Sequence, residues 1–528
     1  MFSRFHEGLV KNDVSIGSVV VKNSLYNLLS KFISTLVGIG LTPFIVSYLG
    51  LELYGVWCIM FVVLGYIALL DLGIGTSFMK FIAEFKALRD MEQINRVINS
   101  GLVFYSILGV ITIGVISLLS ERFTSFLSVP MSQKHNVAIS FIGCGIVFAM
   151  SCVFSVFNLA IGGLQRMDVS SKIEIVRALL WMICTITFLK MGYGLKGLVG
   201  SYALANSITG LLAIWNTRIL FPDLKIRPRF FNLKLFRELV FFGVKNQIAS
   251  FSDLMTFQIS KVLAGKFLGL SLAGAYEVGT KIPRSLREFA IYLVQPLLPA
   301  SSELWTQGDR SKLKYLYSLA TKLLIAMVLP IVIFISFTSN MLIYCWLGMV
   351  QREVAMILQV LSVVYFLNLA CAVGSVVSIG IGKPEFQMRY GIIAGILNPV
   401  LSFLLLNKYH LPGLLWGTGI TLIIANGYFM VVVNKYLKVS LFPFLRDVGL
   451  LPLIISLGLG FSIQSINKFL LYKGLHISRL GQVGFLLVEI TLFVCITVGI
   501  ILRSHYFNDK EKQTIKRYIP IFQSLQSN

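Results

Sequence analysis

Long apolar runs constrain this chain more than any other feature of its sequence. Fourteen of them follow one another, each near or above the roughly 20 residues that a helix needs to cross a bilayer. Charged residues make up 13% of the chain, about half the ~25% of soluble domains. We therefore predict an all-α integral membrane protein with about 14 transmembrane helices. The runs lie near residues 24–48, 54–79, 100–120, 137–161, 174–192, 195–217, 238–265, 272–299, 317–338, 354–379, 387–407, 412–434, 448–467 and 483–502.

Basic residues indicate how these runs cross the membrane. Of the 46 Lys and Arg residues, 28 lie at the termini or in even-numbered loops and 10 in odd-numbered loops, when residues at span ends are counted with the adjoining loop. Because Lys and Arg concentrate in cytoplasmic loops, we predict that both termini are cytoplasmic. The same asymmetry explains the net charge of +23 better than a nucleic-acid partner does. The first run begins late and lacks a small-residue cleavage site, so we expect no cleavable signal peptide.

The sequence contains a weak internal repeat. SYLGLELYGVW (residues 47–57) aligns with KFLGLSLAGAY (residues 266–276) at an offset of 219, and YGLKGL (residues 193–198) aligns with YHLPGL (residues 409–414) at an offset of 216. Each copy holds six spans, an even number, so both copies insert in the same orientation. Parallel repeats of this kind are typical of transporters, in which the substrate site forms between the halves.

The repeat and a basic loop predict the domain organisation. The loop between the sixth and seventh spans is the most basic in the chain and holds two prolines. Two spans follow the second copy of the repeat and lie outside it. The predicted parts are an N-lobe at 1–218, a basic cytoplasmic linker at 219–237, a C-lobe at 238–436, two further spans at 437–505 and a cytoplasmic tail at 506–528.

One run carries charges in its middle. On a helix, four of its five charged residues lie within about 60° of one another. If the five charges faced lipid, they would raise the free energy of membrane insertion by roughly 12–17 kcal/mol. The apolar residues of the run lower it by only about 5 kcal/mol. The stripe must therefore face water or partner charges, which is typical of a functional site. Its members are Glu277, Lys281, Arg284, Arg287 and Glu288.

Internal pairing is the alternative interpretation of this stripe. Glu277 and Lys281, and likewise Arg284 and Glu288, are spaced for i,i+4 ion pairs, which leaves Arg287 without a local partner of its own. The aligned positions in the first copy of the repeat carry no charge. Packing requirements would tend to recur in both copies, so the asymmetry favours a role in substrate handling.

Further charges within the spans complete the predicted site. A charge in the membrane needs water or a partner, so we place these residues at a wet cavity, although Asp71 could equally pair with Lys80 or an arginine. Stripes of Ser, Cys and Gly on other spans are interpreted as close helix packing. The predicted cationic, substrate-binding residues are Lys31, Lys245, Lys261, Lys281, Arg284 and Arg287, and the candidates for ion or proton coupling are Asp71, Asp253, Glu277 and Glu288.

Catalytic and metal-binding motifs are missing from the sequence. It contains no P-loop, no nucleophile elbow, no zincin motif and no paired Cys-x-x-Cys. The seven cysteines lie mostly inside apolar runs without metal-type spacing, so we expect free, buried thiols. We predict a protein that is not an enzyme and needs no cofactor or metal. Without a nucleotide-binding motif, transport must draw on an ion gradient, the membrane potential or the substrate gradient.

Four motifs carry a resemblance to a known group of proteins. They are YLGLELYGVW (residues 48–57), GYIALLDLGIGTSFMKFIAE (residues 65–84), IYCWLG (residues 343–348) and GIGKPEFQMRY (residues 380–390). With them the chain resembles the multidrug/oligosaccharidyl-lipid/polysaccharide (MOP) exporter superfamily, and within it the polysaccharide flippases of the O-antigen type. The resemblance covers roughly residues 20–440, and two extra helices follow as in exporters of lipid-linked sugars.

The resemblance implies two six-helix lobes around a central cavity and alternating access across the bacterial inner membrane. It also implies a substrate of undecaprenyl diphosphate carrying an oligosaccharide repeat unit. Fixed cations on a wet path suit such a diphosphate. Coupling to a proton or sodium ion and contact with polysaccharide polymerase machinery are further expectations from the resemblance.

Three alternatives remain open at this point. A cation-coupled drug exporter of the same superfamily would handle substrates that are usually cationic, against the positive balance of the stripe. A flippase for the peptidoglycan lipid precursor would share the fold and the two extra helices. A structural membrane protein without transport activity is the third, and the unsymmetric charge stripe argues against it.

Overall fold

The computed structural model describes residues 16–472, 478–504, 506–509 and 511–513. Within these ranges the regular structure is helical, without strands, which confirms the predicted all-α class. Short 3₁₀ and π turns join several helices. The helices are α1 (Ile16–Ala68), α2 (Ile74–Ala87), α3 (Met91–Phe126), α4 (Met131–Gly163), α5 (Met167–Lys190), α6 (Gly194–Leu220), α7 (Leu233–Phe257), α8 (Ile259–Leu263), α9 (Leu270–Val294), α10 (Leu297–Thr306), α11 (Arg310–Leu347), α12 (Arg352–Leu369), α13 (Ala372–Gly380), α14 (Glu385–Leu437), α15 (Leu441–Leu445), α16 (Leu451–Tyr472) and α17 (Arg479–Arg503).

The two longest helices each contain two predicted spans. In α1 the chain breaks at Gly50, whose φ is 71°. In α14 it breaks at His410, whose φ is 51°, two residues before Pro412. Among the described residues, nine helical segments are long and apolar enough to span a membrane by length and composition. With both breaks counted, helices coincide with all the predicted runs, and about 14 transmembrane helices are confirmed.

The structure divides the apolar run at residues 54–79 between two helices. Helix α1 ends at Ala68, a 3₁₀ turn covers Leu69–Asp71, and Leu72 and Gly73 adopt left-handed backbone before α2 begins. Gly73 passes so close to Gly243 that a Cβ atom would lie 2.2 Å from the Gly243 carbonyl oxygen. Hydropathy reports the length of an apolar run but not such a local approach of two backbones. Similar interruptions divide the runs at 238–265, 272–299 and 354–379.

The internal repeat reappears in the backbone conformation. Gly50 and Gly269, which are 219 residues apart, both have positive φ angles, of 71° and 102°. Asp90 and Asp309, at the same offset, both cap the helix that follows them by accepting a hydrogen bond from the backbone N–H three residues later. At these two pairs of positions the two copies therefore share the same backbone conformation.

By compactness the described chain separates into two units. Unit 1 contains the described residues up to Leu49 together with Val63–Gln247, and its core is formed by α2, α3, α4 and the start of α7. Unit 2 contains Gly50–Val62 and the described residues from Ile248 onward. Its core lies along α11, around side chains such as Tyr317 and Phe334. The domain boundaries predicted from the sequence stay a prediction.

Two glycines position α9 inside unit 2. A Cβ atom on Gly55 would lie 2.2 Å from the carbonyl oxygen of Leu270, and one on Gly274 would lie 2.1 Å from that of Leu51. The contact is reciprocal, because Leu51 and Leu270, like Gly55 and Gly274, are repeat partners 219 residues apart. Only glycine permits this approach. It fixes the first turns of α9 against the second half of α1, ahead of the charged stripe.

Candidate functional site

Helix α9 carries the charged stripe of the sequence. It starts after Gly269 and continues through Pro283, which lacks a backbone N–H and so leaves the carbonyl of Gly279 without its helical partner. Gly279 itself packs closely on Ile357 of α12. Helix α9 is thereby held against α12. Its charged residues reach partners on α8, α7, the second half of α1 and the end of α12.

Glu277 lies at the centre of the charge cluster. Its carboxylate forms one ion pair with Lys261 of α8 and a second with Arg284, whose Nη2 lies 2.9 Å from Oε1. Lys261 also donates a hydrogen bond of 2.6 Å to Oε1 of Gln258. Glu277 and Lys261 are only 6% and 4% exposed, whereas the side chain of Arg284 is 26% exposed. The buried pair therefore supports an arginine that reaches the edge of the cluster.

Lys281 adds a further cation one turn along α9 from Glu277. Its Nζ lies 3.4 Å from the hydroxyl of Tyr54, in the second half of α1, and the residue is half-buried. The reciprocal glycine contact and this hydrogen bond thus join the same two helices.

Arg287 is held from three directions. Its Nε donates to Oδ1 of Asn368 at 2.8 Å, its Nη2 donates to Oδ1 of Asp253 at 3.0 Å, and its guanidinium lies 4.0 Å from the centre of the Phe257 ring. Asn368 is itself fixed by donating to the hydroxyl of Tyr390 at 2.7 Å. The Arg287 side chain is 13% exposed and that of Asp253 is 56% exposed. The carboxylate is therefore the accessible half of this pair.

The cluster carries more positive than negative charge. An arginine fork binds planar or tetrahedral oxyanions through parallel hydrogen bonds. Arg284 lies at the edge of the cluster and Arg287 lies behind the exposed carboxylate of Asp253. Both can exchange a carboxylate for an oxyanion of a ligand without unburying Lys261. The cations are Lys261, Lys281, Arg284 and Arg287, and the acidic residues are Asp253, Glu277 and Glu288.

The observed pairing differs from the pairing expected along one helix. Arg284 binds Glu277, seven residues earlier, instead of Glu288, which is exposed. Arg287, expected to lack a partner of its own, binds Asp253 of α7. Helical spacing compares residues of one helix only, so it missed partners supplied by α7 and α8. Gln258, Phe257 and Tyr390 were missed as well, and nothing in their local sequence distinguishes them from ordinary packing residues.

Three of the predicted site residues are not seen in the cluster around Glu277. Lys31 and Asp71 belong to unit 1. Lys31 is exposed on α1, and Asp71 accepts a hydrogen bond of 2.6 Å from the Tyr105 hydroxyl, so the suggested pairing with Lys80 is wrong. The Lys80 ammonium instead lies over the ring of Phe242. The side chain of Lys245 lies outside the described part of the structure.

The cysteines are free thiols, as predicted, but they are not all buried. All seven cysteines are free. The expectation of burial is wrong for Cys184 and Cys345, which are half-buried, and for Cys495, which is exposed on α17. A thiol is apolar enough to face outward from a membrane helix. Within the described ranges, no group of three or more His, Cys, Asp or Glu side chains could hold a metal ion.

The sequence matches one protein family and is similar to several membrane proteins. The profile of a family described as polysaccharide biosynthesis protein matches residues 20–305. The membrane protein EpsK of Bacillus subtilis, described as uncharacterized, is 22% identical over 76% of this chain and 80% of its own length. A Shigella flexneri protein provisionally named an O-antigen transporter is 19% identical over 75% of this chain and 93% of its own length.

Comparison with solved structures supports the fold. The lipid II flippase MurJ in an inward closed conformation superposes with a TM-score of 0.67 at 13% identity, covering 92% of this chain and all of that chain (100%). A multidrug resistance MATE family transporter of the MOP superfamily, in an inward-facing conformation, gives a TM-score of 0.60 at 18% identity, covering 79% and 94% of the two chains. The fold is therefore that of MOP exporters.

Proposed function

The chain belongs to the polysaccharide biosynthesis protein family, and we propose from this premise that it is a flippase for undecaprenyl-diphosphate-linked oligosaccharide repeat units in the bacterial inner membrane. The observation that carries the proposal is the positive surplus of the charge cluster on α9, a helix that coincides with one of the predicted spans. The relatives and structural neighbours that are named for an activity are transporters and flippases, which supports transport over catalysis.

The proposed task of the cluster is to bind the diphosphate. Phosphate oxygens accept charge-assisted hydrogen bonds, which are about twice as strong as neutral ones. Arg284 and Arg287 are the proposed contact residues, with Lys281 adding charge beside them. Lys261 and Glu277 are positioning residues, because they are buried and hold Arg284. Between transport cycles, Glu277 and Asp253 neutralise the two arginines and keep them extended.

The proposed cycle is alternating access, coupled to a proton or sodium ion. Asp71, Asp253, Glu277 and Glu288 are the proposed ion or proton carriers. Asp253 is the strongest of them in this cluster, because its carboxylate is both exposed and paired with a proposed substrate-binding arginine. Release of Arg287 by a cation on Asp253 would prepare it for the substrate. Both termini are proposed to be cytoplasmic, and polysaccharide polymerase machinery is the proposed downstream partner.

Mutation of the two arginines tests the proposal. We expect R284Q and R287Q each to lower translocation at least about tenfold, since a hydrogen bond to a charged group contributes roughly 1.5–3 kcal/mol. Translocation is measured in proteoliposomes with a fluorescent undecaprenyl-diphosphate oligosaccharide, and surface polysaccharide is measured in a deletion strain complemented with each variant.

The matched control is R177Q, which removes another partly buried arginine, paired with Glu174 in unit 1. A loss of the same size in R177Q would mean that any lost ion pair disables the protein, and normal transport in R284Q and R287Q would refute the assigned site. Loss of viability on deletion would favour the peptidoglycan precursor as substrate. Resistance to cationic dyes would favour drug export, which the positive surplus disfavours.

A further inference from the structure

The loop between α6 and α7 is pinned to α3 by side chains. Oδ1 of Asn95 accepts the backbone N–H of Lys225 at 2.8 Å. Asn99 binds the same stretch twice, accepting the N–H of Arg227 at 2.8 Å and donating to the carbonyl of Lys225 at 2.7 Å. Two asparagines one turn apart on α3 thus satisfy the backbone of the loop, which has no regular structure of its own there. All these residues belong to unit 1.

Apolar anchors fix both ends of this loop. Phe221 at its start and Leu235 and Leu239 beyond its end are buried in the core that α2 and α3 form. Phe236 packs on Phe104 of α3 with ring centres 5.4 Å apart. The segment is therefore pre-organised and presents its remaining side chains outward in a fixed arrangement.

These outward side chains are basic and apolar in alternation. The segment from Pro222 to Arg237 holds five cations and one acidic residue, Asp223, and Glu238 follows it directly. Segments of this composition bind anionic lipid surfaces, through electrostatic attraction and through insertion of the apolar side chains. The exposed cations are Lys225, Arg227, Arg229, Lys234 and Arg237, and the exposed apolar residues are Ile226, Phe231 and Leu233. We call the exposed residues between Pro222 and Arg237 the linker surface.

The linker surface lies at, or a few ångströms beyond, the outer edge of the headgroup layer. Asn99 precedes Ile107, the first large hydrophobic residue that α3 exposes, by eight residues, or about 12 Å along the helix axis. Headgroup regions extend roughly 5–8 Å beyond the hydrocarbon on each side. Trp215, exposed near the end of α6, adds the kind of side chain that favours a membrane interface. The linker surface thus starts where the lipid-facing part of unit 1 ends.

We propose that the linker surface is a docking site for the headgroups of anionic phospholipids in the leaflet that it faces. The Asn95 and Asn99 hydrogen bonds remove the ordering cost that a free basic loop would meet on binding. The site is separate from the charge cluster on α9, and the proposal does not depend on the transported substrate.

Titration with a short-chain lipid tests this proposal. Purified full-length protein in neutral detergent is titrated with dioctanoyl phosphatidylglycerol, and binding is followed by native mass spectrometry. Each Lys or Arg near an anionic surface contributes about a fivefold preference. We therefore expect the variant K225Q/R227Q/R229Q to bind about a hundredfold more weakly, and N99A, which keeps every cation, to bind measurably more weakly than the unmodified protein.

The control variant R122Q/K190Q/K196Q removes the same charge from exposed positions outside the linker surface and is expected to bind normally. Unchanged binding by K225Q/R227Q/R229Q would overturn the proposal, as would equal affinity for dioctanoyl phosphatidylcholine. Full competition by inorganic diphosphate at the same concentration would also overturn it, because the surface would then be a phosphate receptor rather than a lipid site.

Discussion

Glu277 shows how a single residue can hold a charged cluster together. Its carboxylate is shared by Lys261 and Arg284, and two of these three residues are almost wholly buried. A buried ion pair adds little net stability compared with apolar residues, but removing one partner leaves an uncompensated charge. Glu277 is therefore expected to matter for stability as well as for transport.

Substitution of Glu277 by glutamine is expected to destabilise the protein by about 3–5 kcal/mol, because Lys261 then faces a neutral amide in a buried site. Thermal unfolding in detergent measures the effect. The double variant K261M/E277Q should recover part of the loss, and E92Q, which breaks an exposed pair with Arg96, should cost less than about 1 kcal/mol. Equal unfolding temperatures for E277Q and E92Q would contradict this account.

At this scale the sequence predicted the charges but not their partners. The cost of burying Glu277 or Arg284 in lipid follows from their charge alone, so a position facing away from lipid could be inferred. The partnerships with Lys261 and Asp253 depend on which helices are neighbours. A single sequence carries little information about that, since helical periodicity compares residues on one helix only.

Among the helices, the crossing of α9 with the second half of α1 is tightly constrained. The two backbones come into contact at Gly55 and Gly274. Gly55 faces the carbonyl oxygen of Leu270, and Gly274 faces that of Leu51, the repeat partner of Leu270. The length of the apolar runs predicted both helices. It did not predict the crossing or the break at Leu72 and Gly73, because these depend on close backbone approaches within the folded chain.

Alanine at either crossing glycine is expected to force the two helices apart. We expect G55A and G274A each to lower the unfolding temperature markedly and to impair transport, since the new methyl group would meet a backbone oxygen about 2 Å away. The control is G427A in α14, where a Cβ meets nothing within 4 Å. That change should be neutral or stabilise the helix by up to about 1 kcal/mol. If G55A folded and transported normally, the two helices would be able to move apart without loss of function, and the prediction would be wrong.

For the whole molecule, the predicted topology follows from the distribution of basic residues. We expect a membrane-impermeant maleimide to label S132C in intact cells, and S302C only after permeabilisation, in a background without the seven native cysteines. Both positions are exposed, so accessibility within the protein does not distinguish them. Labelling of S302C in intact cells would place the even-numbered loops outside and would also reverse the leaflet that the linker surface faces.

The repeat was the most informative whole-chain prediction. Equivalent caps at Asp90 and Asp309 and equivalent breaks at Gly50 and Gly269 show that both copies keep the same backbone plan. The charged stripe was not duplicated, and its place in the second copy was visible in the sequence. The assignment of Gly50–Val62 to unit 2 was not visible, because compactness depends on tertiary contacts.

The reciprocal glycine crossing has the form of a subunit interface. When residue A of one copy touches residue B of the other, and B of the first touches A of the second, the local symmetry is that of an isologous dimer. A half-length ancestor could have paired with itself through this same glycine, with both copies inserted in the same direction. Fusion would then have freed one copy to acquire ionised side chains that a symmetric pair would have had to carry twice.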